Sequence, residues 1–168
     1  NKSYDGTTTA TVTLSDNRVA GDVLTNGYTT ATFASATVGP AKTVSVSGIT
    51  VTGTDAGNYT FNTTASTTAE ITAKNLTVSG ITANNKVYDG TTTATLNTGS
   101  AALVGVASGD NVNLSTGSAA GTFADNNVGT GKTVTVSGLS LSGGLDKNNY
   151  TLTQPTTTAD ITARALTV

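Results

Sequence analysis

The sequence contains no cysteine, histidine, methionine or tryptophan, two prolines, and only 11% charged residues over 168 positions. Each absence excludes a class of chemistry. Without cysteine there is no disulfide, so stability has to come from a packed core. Without histidine and cysteine the usual nucleophile–base pairs cannot be built, and zinc, copper, haem and iron–sulfur centres lose their common ligands. Apolar runs reach three to four residues, far short of the roughly 20 that a membrane helix needs, so no membrane insertion is expected. A net charge of −2 and a pI near 4.7 argue against nucleic acid as a partner, because phosphate binding needs a basic surface. Scattered aspartates, Glu70 and hydroxyls remain for catalysis. Two-carboxylate hydrolysis is open to such a set in principle, but it needs a deeper cleft than small modules offer, so no enzyme is expected.

What is present is strand chemistry. Threonine is the commonest residue and valine is abundant; both suit a pleated, half-buried surface. Asn, Gly, Asp and Ser supply turns. Val44 and Val46 alternate with Thr43, Ser45 and Ser47, and beyond Gly48 the apolar pair Ile49 and Val51 is out of phase. Val134, Val136, Gly138, Leu139 and Leu141 repeat this, as do Leu76, Val78, Gly80 and Ile81. A glycine at such a phase break reads as a bulge or a bend.

The chain repeats itself. NKSYDGTTTAT at Asn1–Thr11 returns as NKVYDGTTTAT at Asn85–Thr95, KTVSVSGITVTG at Lys42–Gly53 as KTVTVSGLSLSG at Lys132–Gly143, and TTAEITA at Thr67–Ala73 as TTADITA at Thr157–Ala163. A period near 90 residues exceeds the roughly 20–45 of solenoid coils and suits a small independent domain. The expected organisation is a first module at 1–73, a second at 74–163 and the start of a third at 164–168. The first module has no counterpart of Leu76–Asn84, because Asn1 corresponds to Asn85. The chain opens inside a motif and reads as a piece of a longer array. An unpaired sheet edge is therefore expected in module one, open to strand addition, with Leu166–Val168 frayed or paired with module one of another molecule.

The fold expected is all-β: two tandem Ig-like, Greek-key β-sandwich modules end to end, with elongated β-grasp-like modules as the alternative. Tyr-Asp-Gly at Tyr4–Gly6 and Tyr88–Gly90 reads as a turn with a packed ring. Asp55-Ala-Gly57-Asn-Tyr59-Thr-Phe61 resembles the tyrosine corner of immunoglobulin-like sandwiches, with Asp146-Lys-Asn148-Asn-Tyr150 as its variant. That resemblance implies strands over Thr43–Thr52, Asn58–Asn62 and Thr68–Ala73. The expected core is Tyr4, Val12, Leu14, Phe33, Val44, Val46, Tyr59, Phe61 and Ile71, then Tyr88, Leu96, Phe123, Val134, Val136, Tyr150, Leu152 and Ile161.

The recurring YDGTTTAT, VGTGKTVTVSGL at Val128–Leu139, NYTL at Asn149–Leu152 and ADITARALTV at Ala159–Val168 together resemble the YDG repeat. This module occurs in arrays in very large secreted bacterial proteins, many of them filamentous-haemagglutinin-like adhesins exported by two-partner secretion. Module one departs from it at Val38-Gly39-Pro40-Ala41-Lys42, where the second glycine is missing. The resemblance implies a structural stalk or spacer of a surface or biofilm-matrix adhesin. Its partners would be neighbouring modules of the same chain, with other regions meeting the host-cell or matrix surface. Direct binding of a polysaccharide or cell surface is the alternative, and Tyr28 is the one tyrosine outside the recurring motifs.

Few residues are candidates for chemistry. Gly129-Thr-Gly131-Lys132-Thr133 imitates the end of a phosphate loop, but the glycine five positions before Gly131 is absent and a Val/Thr strand follows. No cofactor is expected. Weak calcium sites can be assembled from distant loops, and Asp55 and Asp146 are the candidates for one. An intramolecular Lys–Asn cross-link would need Lys42, Asn58 and Glu70, or Lys132, Asn149 and Asp160, to meet.

Overall fold

Thr43 and Ser45 face solvent while Val44 and Val46 are 1% and 4% exposed, in the computed structural model of the chain, which describes all 168 residues. That alternation recurs at Thr133–Ser137, and it sets which face meets the core. The structure is all-β, with no α-helix, and divides into two compact units at Asn1–Ala73 and Lys74–Val168.

Unit one contains β1 (Lys2–Ser3), β2 (Thr25–Gly27), β3 (Thr30–Phe33), β4 (Gly39–Ser47), β5 (Thr50–Thr52) and β6 (Thr64–Thr72). Four of them form a sheet in the order β1-β6-β4-β3, with β1 parallel to β6 and the other pairs antiparallel. The remaining two pair with each other, Thr25 opposite Thr52. Ala31, Phe33, Val44, Val46, Ile49 and Ile71 are buried. Full burial of each large one of these contributes roughly 1.5–3 kcal/mol.

Unit two contains β7 (Lys74–Ser79), β8 (Thr82–Ala83), β9 (Lys86–Val87), β10 (Thr93–Ala94), β11 (Leu96–Asn97), β12 (Ala102–Val104), β13 (Asn113–Ser115), β14 (Ala120–Phe123), β15 (Gly129–Ser137), β16 (Ser140–Ser142), β17 (Tyr150–Leu152) and β18 (Thr156–Thr162). The main sheet runs β10-β14-β15-β18-β9, and β9 lies parallel to β18 as β1 does to β6. Three smaller sheets accompany it: β13 with β16, β8 with β11, and a three-stranded sheet β12-β7-β17 with β7 in the middle. Leu76, on β7, is completely buried.

Several sequence expectations are corrected here. Thr43–Thr52 is two strands: at Gly48 the chain leaves the sheet of β3 and β6 and joins β2. Gly48 makes this bend with φ +66°, and Gly138 makes it in unit two with φ +77°. A Cβ on Gly138 would lie 2.0 Å from the Ser118 carbonyl oxygen, so no other residue fits. Asn58–Asn62 forms no strand, whereas its counterpart is β17. β17 has β7 to pair with, and residues 59–61 have no strand beside them. For the same reason Phe61 is not a core residue but 46% exposed. Tyr88 is 40% exposed because the cleft it shares with Asn127, Val128, Arg164 and Leu166 stays open. Residues 163–168 form no ladder and Leu166 is 89% exposed, the unpaired end expected of Leu166–Val168.

Candidate functional site

The polar residues of the repeated motifs form two clamps, each present in both units. The first is built on the NK-x-YDGT segment. Lys2, on β1, and Lys86, on β9, point along the Asp-Gly turn that follows. The Lys86 ammonium donates to Asp89 Oδ1 at 2.8 Å, to the Thr91 carbonyl at 2.7 Å and to the Thr93 carbonyl at 3.1 Å. Lys2 donates to Asp5 Oδ1 at 2.7 Å and the Thr7 carbonyl at 2.8 Å. Each ammonium also lies 5.6 Å from an aromatic centroid, Phe33 for Lys2 and Phe123 for Lys86, within reach of a cation–π attraction. Asp5 and Asp89 accept the backbone N–H groups of Thr7 and Thr91, the Asx-turn chemistry that closes the loop. The lysine hydrogen bond, reinforced by these threonine donors, pulls both carboxyls down to about 2.

The second clamp is built on the two tyrosines expected at corners. The Tyr150 hydroxyl donates to Asp110 Oδ2 at 2.6 Å and accepts the Ala107 N–H at 2.9 Å. Tyr59 does the same with Asp22 and with the Val19 N–H at 3.0 Å. Each hydroxyl thus reaches some 40 residues upstream (Tyr59 to Val19, Tyr150 to Ala107), not the few residues of an immunoglobulin corner. Burial, then the Asp110 carboxylate, pushes the Tyr150 hydroxyl up to about 12. The Asp22 hydrogen bond raises Tyr59.

The calcium candidates belong to this second clamp. Asp55 Oδ2 accepts the Val23 N–H and Asp146 Oδ2 the Asn111 N–H, both at 2.9 Å. They tie the turn before the tyrosine to the loop that holds its partner aspartate. No group of three or more acidic side chains that could hold an ion is assembled around them. The cross-link candidates are distributed among other partners. Lys42 donates to Ser35 Oγ at 2.6 Å and Lys132 to Asp125 Oδ1 at 2.6 Å. Asp160 accepts the Gly131 N–H at 2.7 Å, and the Glu70 N–H donates to Asn1 Oδ1 at 2.8 Å. Asn58 and Asn149 end the short 3-10 turns Ala56–Asn58 and Lys147–Asn149, ahead of the tyrosines. The Tyr28 hydroxyl accepts the Val12 N–H at 3.3 Å. Gly129–Lys132 lies within β15, with no helix after it.

Sequence reasoning passed over Lys2, Lys86, Asp22 and Asp110, the partners that give Tyr-Asp-Gly and the later tyrosine their roles. The signal was the repeat itself: each recurs at the matching position of the second copy.

Two compact all-β units carry the same pair of clamps, one of the pair built on a Tyr-Asp-Gly turn. The chain belongs to the YDG domain family, whose profile matches residues 1–69 and again 72–159. No curated protein and no solved structure matches it.

Proposed function

We propose that the chain is a spacer segment of a secreted bacterial surface or biofilm-matrix adhesin, a repeat that projects a binding region carried elsewhere. The observation that supports this is the use made of the recurring polar residues. Lys, Asp and Tyr of the motifs hold loops to their own unit, through Lys86–Asp89 and Tyr150–Asp110 and their counterparts in unit one. Residues kept for ligand recognition would be directed outward. One residue, Ala73, separates β6 from β7, so the junction has few free dihedrals. A largely uncharged surface would also keep such a spacer insensitive to salt.

Small-angle scattering with calcium and then with a chelator tests this. The expected result is an extended particle about twice the length of one unit, unchanged by the chelator. A compact or chelator-dependent particle would overturn the spacer. Saturable binding to a polysaccharide array would favour direct recognition.

A further inference from the structure

Of the nine aspartates, Asp5 and Asp89 are the two followed by glycine. Asp-Gly is open to a spontaneous reaction of the main chain, because glycine puts no side chain beside its own nitrogen. That nitrogen attacks the aspartate Cγ. A Cγ–N bond forms, the Cγ–OH bond of the neutral acid breaks, and the hydroxyl leaves as water with the amide proton. A second water opens the resulting cyclic imide at the aspartate main-chain carbonyl. The product is isoaspartate, equal in mass, with the main chain rerouted through Cβ and Cγ.

Burial does not protect this bond in unit two. The Asp89 side chain is 50% exposed, and a Cβ on Gly90 would meet no atom within 4 Å. Water reaches the turn freely. The turn nevertheless calls for glycine, because position 90 sits at φ +81°. The fold therefore keeps a labile pair of residues in an open place, and whatever preserves it has to act on the carboxyl itself.

Three donors converge on one carboxylate oxygen. Asp89 Oδ1 accepts the Lys86 ammonium at 2.8 Å, the Thr91 N–H at 2.8 Å and the Thr91 hydroxyl at 2.9 Å. Asp5 Oδ1 accepts Lys2 at 2.7 Å and the N–H and hydroxyl of Thr7, both at 2.9 Å. Each donor favours the carboxylate over the neutral acid, and a carboxylate has no hydroxyl to lose and is a poor electrophile. The same bonds hold the carboxyl against turning toward the glycine nitrogen. Lys86 is fixed in its turn by the Thr91 and Thr93 carbonyls, and its side chain is 17% exposed. The Asn126 amide holds the Gly90 carbonyl at 2.9 Å, steadying the residue whose nitrogen would attack. We propose that Lys86 and Lys2 guard the Asp-Gly bonds of this chain: by holding Asp89 and Asp5 as fixed carboxylates they suppress isomerisation of the motif to isoaspartate. The clamp thus has a second task besides closing the turn, and has it whether the chain is a spacer or a binding module.

The test ages the full chain in mildly acidic buffer beside Lys86→Ala, Lys86→Arg, Thr91→Val, Tyr150→Phe and a synthetic peptide of residues 85–95. Peptide mapping locates isoaspartate, and amide NMR checks that each variant is folded. The full chain should isomerise at Asp89 far more slowly than the peptide, which has the same residues without the fold. Lys86→Ala should speed the reaction at Asp89 by about tenfold or more, as its acidity returns toward the ordinary range, and leave Asp5 of the same molecule unchanged. Lys86→Arg should keep most of the protection. Thr91→Val, which removes one donor and leaves the lysine, should lose part of it. Tyr150→Phe loosens unit two without touching Asp89 and should leave the rate as it was. Equal rates in chain and peptide would overturn the proposal. So would the parent rate in a folded Lys86→Ala or Thr91→Val, or an acceleration in Tyr150→Phe as large as that in Lys86→Ala, since protection would then belong to the stability of the unit and not to the lysine.

Discussion

The Tyr150 hydroxyl stands between Ala107 and Asp110, accepting the N–H of the first at 2.9 Å and donating to the carboxylate of the second at 2.6 Å. One side chain therefore fixes a loop more than 40 residues away. Tyr150→Phe keeps the ring in its place and leaves the Ala107 N–H and the Asp110 carboxylate without that partner. The expected cost to unit two is about 1–3 kcal/mol, read as a lower urea midpoint. Tyr59→Phe should act in the same direction on unit one, and less, because Tyr59 is more exposed.

Asp5 and Asp89 are held at about 2 by the lysines beside them. A carboxyl lowered in the folded state adds stability above its unfolded value near 4, and that stability is lost as pH falls toward 2. Carboxyl carbon NMR should show both titrating near 2. Lys86→Ala should return Asp89 toward the ordinary range and leave Asp5 where it is. Tyr150 works at the alkaline end: raised to about 12, it adds stability that is complete below pH 10 and disappears as pH rises through 12.

Ala41 sits at φ +47°, where Gly131 of unit two has +58°. Both occupy an irregularity in register, between Gly39 and Lys42 in β4 and between Gly129 and Lys132 in β15. The left-handed conformation costs a non-glycine residue about 1–2 kcal/mol. Ala41→Gly removes that cost and loosens the unfolded chain, which recovers part of the gain. A net stabilisation of about 0.5–1 kcal/mol is expected in thermal unfolding.

Gly80 and Gly90 share the same backbone sign, with φ +77° and +81°, but not the same surroundings. A Cβ on Gly80 would lie 2.0 Å from the Ser100 carbonyl oxygen, and one on Gly90 would meet nothing within 4 Å. Gly90→Ala should cost about 1–2 kcal/mol of conformational strain. Gly80→Ala should cost clearly more, since the β7 side of the turn must also move; urea unfolding of the two variants compares them.

Leu76 and Leu166 share a sequence context and differ in cover: one is completely buried, the other 89% exposed. Leu76→Ala should destabilise unit two by about 2–5 kcal/mol. Leu166→Ala in dilute solution should change stability by less than about 0.5 kcal/mol.

The legible parts of the fold were those set by local chemistry. Alternation at Val44 and Val46 marked the strand and its buried face, because side chains in a strand have a period of two. Gly48 and Gly138 marked bends, because the phase of the apolar residues broke there. The Asp-Gly turn was readable because aspartate and glycine favour it wherever they meet. The clamps were only half readable: Tyr59, Tyr150, Asp55 and Asp146 stood out, whereas their partners Asp22 and Asp110 are marked only by a short recurrence, Val-Ala-Gly-Asp at 19–22 and Val-Ala-Ser-Gly-Asp at 106–110. Their pairing is a matter of loop closure across some 40 residues, to which no local spacing points.

Composition and periodicity by themselves determined that this chain is all-β, twice repeated and built without histidine or cysteine chemistry. Those properties follow from side chains acting over a few residues. The tertiary structure alone decided the fates of equivalent residues. Leu152 lies on a paired strand and Phe61 does not, and Tyr4 is 5% exposed where Tyr88 is 40% exposed. The physical reason is that burial belongs to a neighbourhood. Phe61 is exposed because residues 59–61 have no strand beside them, whereas Leu152 has β7, and Tyr88 is exposed because the cleft it shares with Val128 and Leu166 stays open.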